Sequence, residues 1–150
     1  MMIFLLALLS GGAIAVQATM NARLGQLLGS PLYATTVAFG VGFVLVATVA
    51  LVYARLVAPP RGLAAVPLQL WCAGGLLGTL ALVSIYWLIP KIGIGPTVSL
   101  ALAGQLLVAL VAGHLGWFGL PRTPITATRA VGAGALLLGA FLVQRPQGAA

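Results

Sequence analysis

The chain has 150 residues, 62% of them hydrophobic and only 5% charged. A soluble domain carries roughly 25% charged residues, so a water-exposed surface cannot be built from this material and lipid must be its main solvent. Seven Lys plus Arg face no Asp or Glu, for a formal net charge of +7. The bases stand singly between apolar runs, which excludes a nucleic-acid-binding face and fits anchors that snorkel to headgroup phosphates.

Inside a bilayer every backbone N–H and C=O must be bonded internally, so spans are helices or a closed barrel. Strict apolar/polar alternation is absent, which argues against a barrel. The expected fold is an all-α membrane protein, a bundle of five transmembrane helices forming one domain over residues 1–150.

The first expected helix runs from about Ile3 to Ala22. It has no basic n-region and is long enough to span, so it reads as a retained helix rather than a signal peptide. Its end carries VQATMNARLG, where Gln17 and Asn21 stand four apart and share a face that Ser10 extends. The second helix runs from about Leu32 to Ala54, opened by Ser30-Pro31 and closed by Arg55. The third runs from about Leu68 to Ile89, closed by Pro90-Lys91, with Gly74 and Gly78 four apart and Gly75 and Thr79 alongside. Cys72 lies in this run; as the one cysteine it excludes an intramolecular disulfide and any cysteine-based metal cluster, and it reads as a packing residue.

The fourth helix, about Ile94 to Leu115, bears Thr97, Ala101 and Gln105 at successive i+4 steps. His114, nine positions past Gln105, lies half a turn round the helix from it. Its place beside Trp117 favours an interfacial histidine; the sharper alternative is a proton acceptor. The fifth, about Ile125 to Val143, has Arg129 near its start and a small face of Gly132, Ala135 and Gly139. Gly/Pro loop signals separate the five, and the short loops make consecutive helices antiparallel neighbours. The glycine faces serve close helix packing, either within the bundle or at an oligomer seam.

Unpaired amides in hydrocarbon cost several kcal/mol, so Gln17, Asn21 and Gln105 should point inward, either as interhelical hydrogen bonds or as the lining of a substrate path. Arg129 must snorkel, bind backbone carbonyls, bind a lipid phosphate, or meet an anionic substrate or partner. No metal cluster, nucleophile–base pair or phosphate loop is present, so neither an enzyme nor a cofactor is expected. With no carboxylate side chain, proton exchange through an intramembrane acid is excluded for the chain alone, and the electrostatics favour a neutral or anionic substrate.

An odd number of helices puts the termini on opposite sides. Arg55, Arg61, Arg122 and Arg129 then share the side of the N-terminus, against Arg23, Lys91 and Arg145 on the other. Four against three is a weak bias toward an internal N-terminus and leaves dual insertion open, with two copies pairing around an in-plane axis.

The stretches GGAIAVQATMNARLG and GSPLYATTVAFGVG, followed by GGLLGTLALVSIYWLIPKIGIGPTVSLALAGQLLVALVAGHLGWFGLPRTPITATRAVGAGALLLGAFLV, resemble the YdcZ family, the small five-helix branch of the drug/metabolite transporter superfamily. The features occur in order: Gln17 with Asn21 and Arg23, Phe39 with Gly42, Gly74-Gly75 with Gly78, Pro90 with Gly93, Gly104-Gln105, His114 with Gly116, and Arg129 with Gly132. The resemblance implies a small-molecule transporter in a bacterial cytoplasmic (inner) membrane, working as a dimer or with a related five-helix chain. The sequence departs from the family at Gly113, where an Asp often precedes the position matched by His114.

Overall fold

The computed structural model describes residues 1–57, 62 and 66–144, and among these it is helical, without strands. Five α-helices follow one another: α1 (Met2–Leu27), α2 (Pro31–Leu56), α3 (Leu68–Ile92), α4 (Ile94–Leu115) and α5 (Ala127–Val143), with a 3-10 turn at Trp117–Gly119. α1 to α4 are long and apolar enough to cross a membrane. α5 is a shorter apolar helix of 17 residues, a length of about 25 Å against a hydrocarbon core of about 30 Å. Arg61 and Arg145 lie outside the described residues.

Local chemistry sets the boundaries. Ser30 caps α2, its Oγ accepting from the Leu32 amide at 3.2 Å, and Pro31 takes the first helical position. Gly93 (φ +88°) and Gly116 (φ +66°) bracket α4. Thr126 caps α5 by accepting from the Arg129 amide at 3.3 Å, so this helix opens at Ala127, two residues later than the apolar pattern indicated.

Two other ends run past the predicted spans. α1 continues five residues beyond Ala22 to Leu27, because the limit of the apolar run marks the edge of hydrocarbon and not the end of hydrogen bonding. The chain breaks only near Gly29, at φ +72°. α3 passes through Pro90 to Ile92. A proline here forgoes a single backbone bond, to the Tyr86 carbonyl, near an end where little helix remains to disrupt.

The hydroxyls along the spans satisfy themselves. Ser10 donates to the Leu6 carbonyl, Thr19 to Ala15, Thr48 to Val44, Thr79 to Gly75 and Ser84 to Leu80, each four residues back. This back-bonding lets a hydroxyl sit in hydrocarbon without an interhelical partner.

The chain forms two compact units, Met1–Lys91 and Ile92–Ala150. In the first, α1 and α2 form a hairpin that meets α3 through a core of Ala18, Ala22, Ala34 and Tyr86, flanked by Leu24, Leu82, Ile85 and Ile89. Small residues allow the approach: a Cβ on Gly25 would lie 3.3 Å from the Pro31 Cα and 3.6 Å from the Ala34 Cβ. Gly78 faces Phe39, whose Cζ would lie 3.7 Å from an added Cβ. Burial is confined to the turn end of the hairpin, and residues 1–14 of α1 are exposed.

In the second unit α4 packs antiparallel to α5, with Ala103, Ala133 and Ala140 buried and Gly95 against Val143. Gly116 shows why its place admits no side chain. A Cβ would lie 2.7 Å from the Arg122 Cγ and 3.2 Å from the Leu120 carbonyl, on a left-handed backbone. Gly116→Ala should therefore destabilise this hairpin by about 2 kcal/mol. Gly134→Ala, which adds a methyl where nothing lies within 4 Å, should be neutral or mildly stabilising. Denaturation in mixed micelles followed by circular dichroism checks the contrast, and equal midpoints for the two variants would refute it.

Candidate functional site

The polar residues singled out above divide between the two units. Gln17 and Asn21 belong to the first; Thr97, Gln105, His114 and Arg129 belong to the second.

Asn21 is the one whose partner lies on another helix. Its Nδ2 donates to the Tyr86 Oη at 3.2 Å, from α1 to α3. Tyr86 is 1% exposed and is the largest buried side chain of its unit. A buried tyrosine places its ring in apolar packing while its hydroxyl finds a polar neighbour, and the alanines around it bring the helices near enough. Sequence reasoning missed Tyr86. Its signal was present as the polar-tipped ring in VSIYWLIP, one turn before Pro90. Gln17, one helical turn from Asn21, is exposed, and its amide has no hydrogen-bond partner among the described residues.

Beside the Asn21–Tyr86 bond a shallow cavity of about 330 Å³ opens at the turn end of the hairpin, lined among others by Gln26, Ser30, Pro31, Tyr86, Trp87 and Lys91. Arg23, itself outside the lining, holds Gln26 there, its Nη1 donating to the Gln26 Oε1 at 3.2 Å. The Lys91 Nζ sits 3.4 Å from the centre of the Trp87 ring, a cation–π contact at the end of α3. An adjoining apolar groove of about 400 Å³ shares Pro31 and Trp87 and runs on past Val83, Ser84 and Leu88.

In the second unit Thr97 is 2% exposed, but its hydroxyl is spent on its own helix, donating to the Gly93 carbonyl at 2.7 Å. Gln105 lies in the middle of α4, exposed, with no hydrogen-bond partner among the described residues. Unlike the hydroxyls, its amide does not fold back onto the helix.

His114 and Arg129 come together on one segment, the connection between α4 and α5. The His114 Nδ1 accepts from the Ile125 amide at 3.4 Å, and the Arg129 Nη1 donates to the Pro124 carbonyl at 3.0 Å. Of the roles open to Arg129, binding a backbone carbonyl is the one seen. The same connection accounts for Gly113. The Thr123 amide donates to the Gly113 carbonyl at 2.8 Å, and a Cβ at Gly113 would lie 2.5 Å from the Thr123 Oγ1. An Asp at that position would require Thr123 to move.

Of the glycines expected to serve helix packing, Gly78 meets Phe39, and Gly139 lines a cavity of about 150 Å³ between α4 and α5 together with Ser99, Ala103 and Ala140. A Cβ on Gly74, Gly132 or Gly139 would meet nothing within 4 Å.

No curated protein and no solved structure matches the chain. A sequence model of one family, described as "Putative inner membrane exporter, YdcZ", matches residues 2–142. Four long apolar helices, a fifth shorter one and a match over nearly the whole length agree: the chain belongs to the YdcZ family and is a multi-pass protein of the inner membrane.

Proposed function

We propose that the protein is a subunit of a secondary carrier of the drug/metabolite transporter type, moving a small neutral or anionic molecule across the membrane. The family match to inner-membrane exporters carries this reading. Its finer parts rest on the polar residues. Gln17 and Gln105 hold amides without hydrogen-bond partners among the described residues, and such groups in an apolar medium call for a ligand or a second chain. Asn21 and Thr97 flank them, while His114 and Arg129 act nearer the helix ends.

The five helices work as one transmembrane domain, and two such protomers, antiparallel copies or a pair of related chains, enclose the path. The open faces at Gly74, Gly132 and Gly139 are the surfaces on which a second protomer would approach. Proteoliposomes holding the chain, alone and with a related five-helix chain from a neighbouring gene, should show counterflow of a small solute. Absence of flux in both preparations across a panel of neutral and anionic solutes would defeat the proposal.

The orientation has its own test. The charge bias is four against three, so one added Lys at either terminus should redistribute topology reporters between the two sides. Reporters that stay on one side in every variant would refute dual insertion.

A further inference from the structure

The cavity at the α1–α2 turn has a property that carrier function does not require. Each polar side chain in its wall has its acceptor atom already engaged and a donor left over. The Gln26 Oε1 accepts from Arg23, leaving the amide nitrogen to donate. The Ser30 Oγ accepts from the Leu32 amide, leaving its O–H. Tyr86, buried with its Oη accepting from Asn21, forms the floor beneath them. Lys91 has three N–H donors and no acceptor. None of these donors has a hydrogen-bond acceptor among the described residues, and the Lys91 ammonium rests on the face of the Trp87 ring.

A wall of side-chain donors with an ammonium at its rim selects a ligand rich in acceptors and negatively charged. The chain itself has no Asp or Glu side chain to serve, so the anion must come from outside. The polar cavity continues across Trp87 into the apolar groove along Val83 and Leu88. The combination suits an amphiphile whose head is anionic and whose tail is hydrocarbon. It lies at helix ends, where Lys and Trp mark the membrane interface.

We propose that this cavity binds the phosphate headgroup of an anionic glycerophospholipid, with Lys91, Gln26 and Ser30 donating to the phosphate and an acyl chain lying in the groove beside Leu88. The site is independent of whether the chain carries solute.

The test uses the full chain in a neutral detergent, with phosphatidylglycerol, phosphatidylcholine and soluble glycerol 3-phosphate as probes. Bound lipid is counted by native mass spectrometry. Affinity is read from Trp87 fluorescence in a form carrying Trp71→Phe and Trp117→Phe. Phosphatidylglycerol should bind more tightly than phosphatidylcholine, with an affinity that falls as salt rises. Lys91→Gln and Gln26→Leu should each weaken it about tenfold. Lys91→Arg should keep most of the affinity, and Arg55→Gln, at the opposite end of α2 from the cavity, should leave it unchanged.

Equal binding of both lipids, or unchanged phosphatidylglycerol binding in Lys91→Gln, would overturn the site. Equal affinity for soluble glycerol 3-phosphate would overturn the lipid assignment and give the pocket to a free phosphate ester. Should Lys91→Gln fail to fold, Gln26→Leu and the salt dependence of the unaltered chain decide the matter.

Discussion

Replacing Tyr86 by Ala should unfold the Met1–Lys91 unit at markedly lower denaturant, with a loss of about 3–5 kcal/mol. Tyr86 is 1% exposed, and Ala18, Ala22 and Ala34 form the rest of the buried cluster. Three methyl side chains cannot collapse into the space that a phenol leaves, so the cavity persists. Tyr86→Phe keeps the ring and loses only the Oη that accepts from Asn21, which should cost about 1 kcal/mol. Pairing Tyr86→Phe with Asn21→Ala then isolates the bond, and a coupling of about 0.6–1.7 kcal/mol is expected for such a contact in a membrane. Denaturant titration in bicelles, followed by helical circular dichroism, supplies all four values. A Tyr86→Ala midpoint equal to that of the unaltered chain would contradict the central place assigned to this residue. The cycle also bears on function: an Asn21 amide coupled to Tyr86 is a wall of any solute path more than a free hand within it.

The second large effect is expected at Gln105. Its amide lies at the middle of α4 and has no hydrogen-bond partner among the described residues. If it bonds solute, Gln105→Leu should leave helix content and oligomer size unchanged and lower flux by roughly 10- to 100-fold, the worth of one lost hydrogen bond to a polar ligand. Gln105→Asn, which keeps the amide but draws it back by one methylene, should retain part of the activity. The two measurements separate two roles. Loss of assembly with loss of flux makes Gln105 a bond between protomers, while intact assembly with intact flux removes it from the path. Thr97 makes the useful contrast on the same helix: its hydroxyl is committed to the Gly93 carbonyl at 2.7 Å, so Thr97→Val should disturb flux far less.

The pairings could not be read in advance for a definite reason. α1 and α4 are apolar nearly all round and have no pronounced polar face. A soluble amphipathic helix announces its inner face by the period of its apolar residues, but a helix in lipid does not, because lipid and a neighbouring helix are equally apolar partners. Gln17 and Asn21 share a face by spacing alone, yet of the two Asn21 alone has a partner among the described residues, since the close approach to α3 occurs at the alanine-rich turn end. His114 and Arg129 are fifteen positions apart in sequence and still meet on adjacent backbone groups, Ile125 and Pro124. That convergence depends on the turn that Gly116 permits.

What the sequence determined by itself was the medium and the elements. A composition with 62% hydrophobic and 5% charged residues demands lipid, lipid demands internally bonded backbone, and Ser30-Pro31 with the other Gly/Pro loop signals separates five helices in the order observed. What only the tertiary structure decided was which polar groups are spent and which remain available. Hydroxyls close onto their own helix, Asn21 closes onto Tyr86, and Arg129 closes onto Pro124. The amide of Gln105 and the donors around Lys91 stay open among the described residues. For an amide such as that of Asn21, satisfaction depends on the distance to another helix, and spacing along one helix cannot specify it.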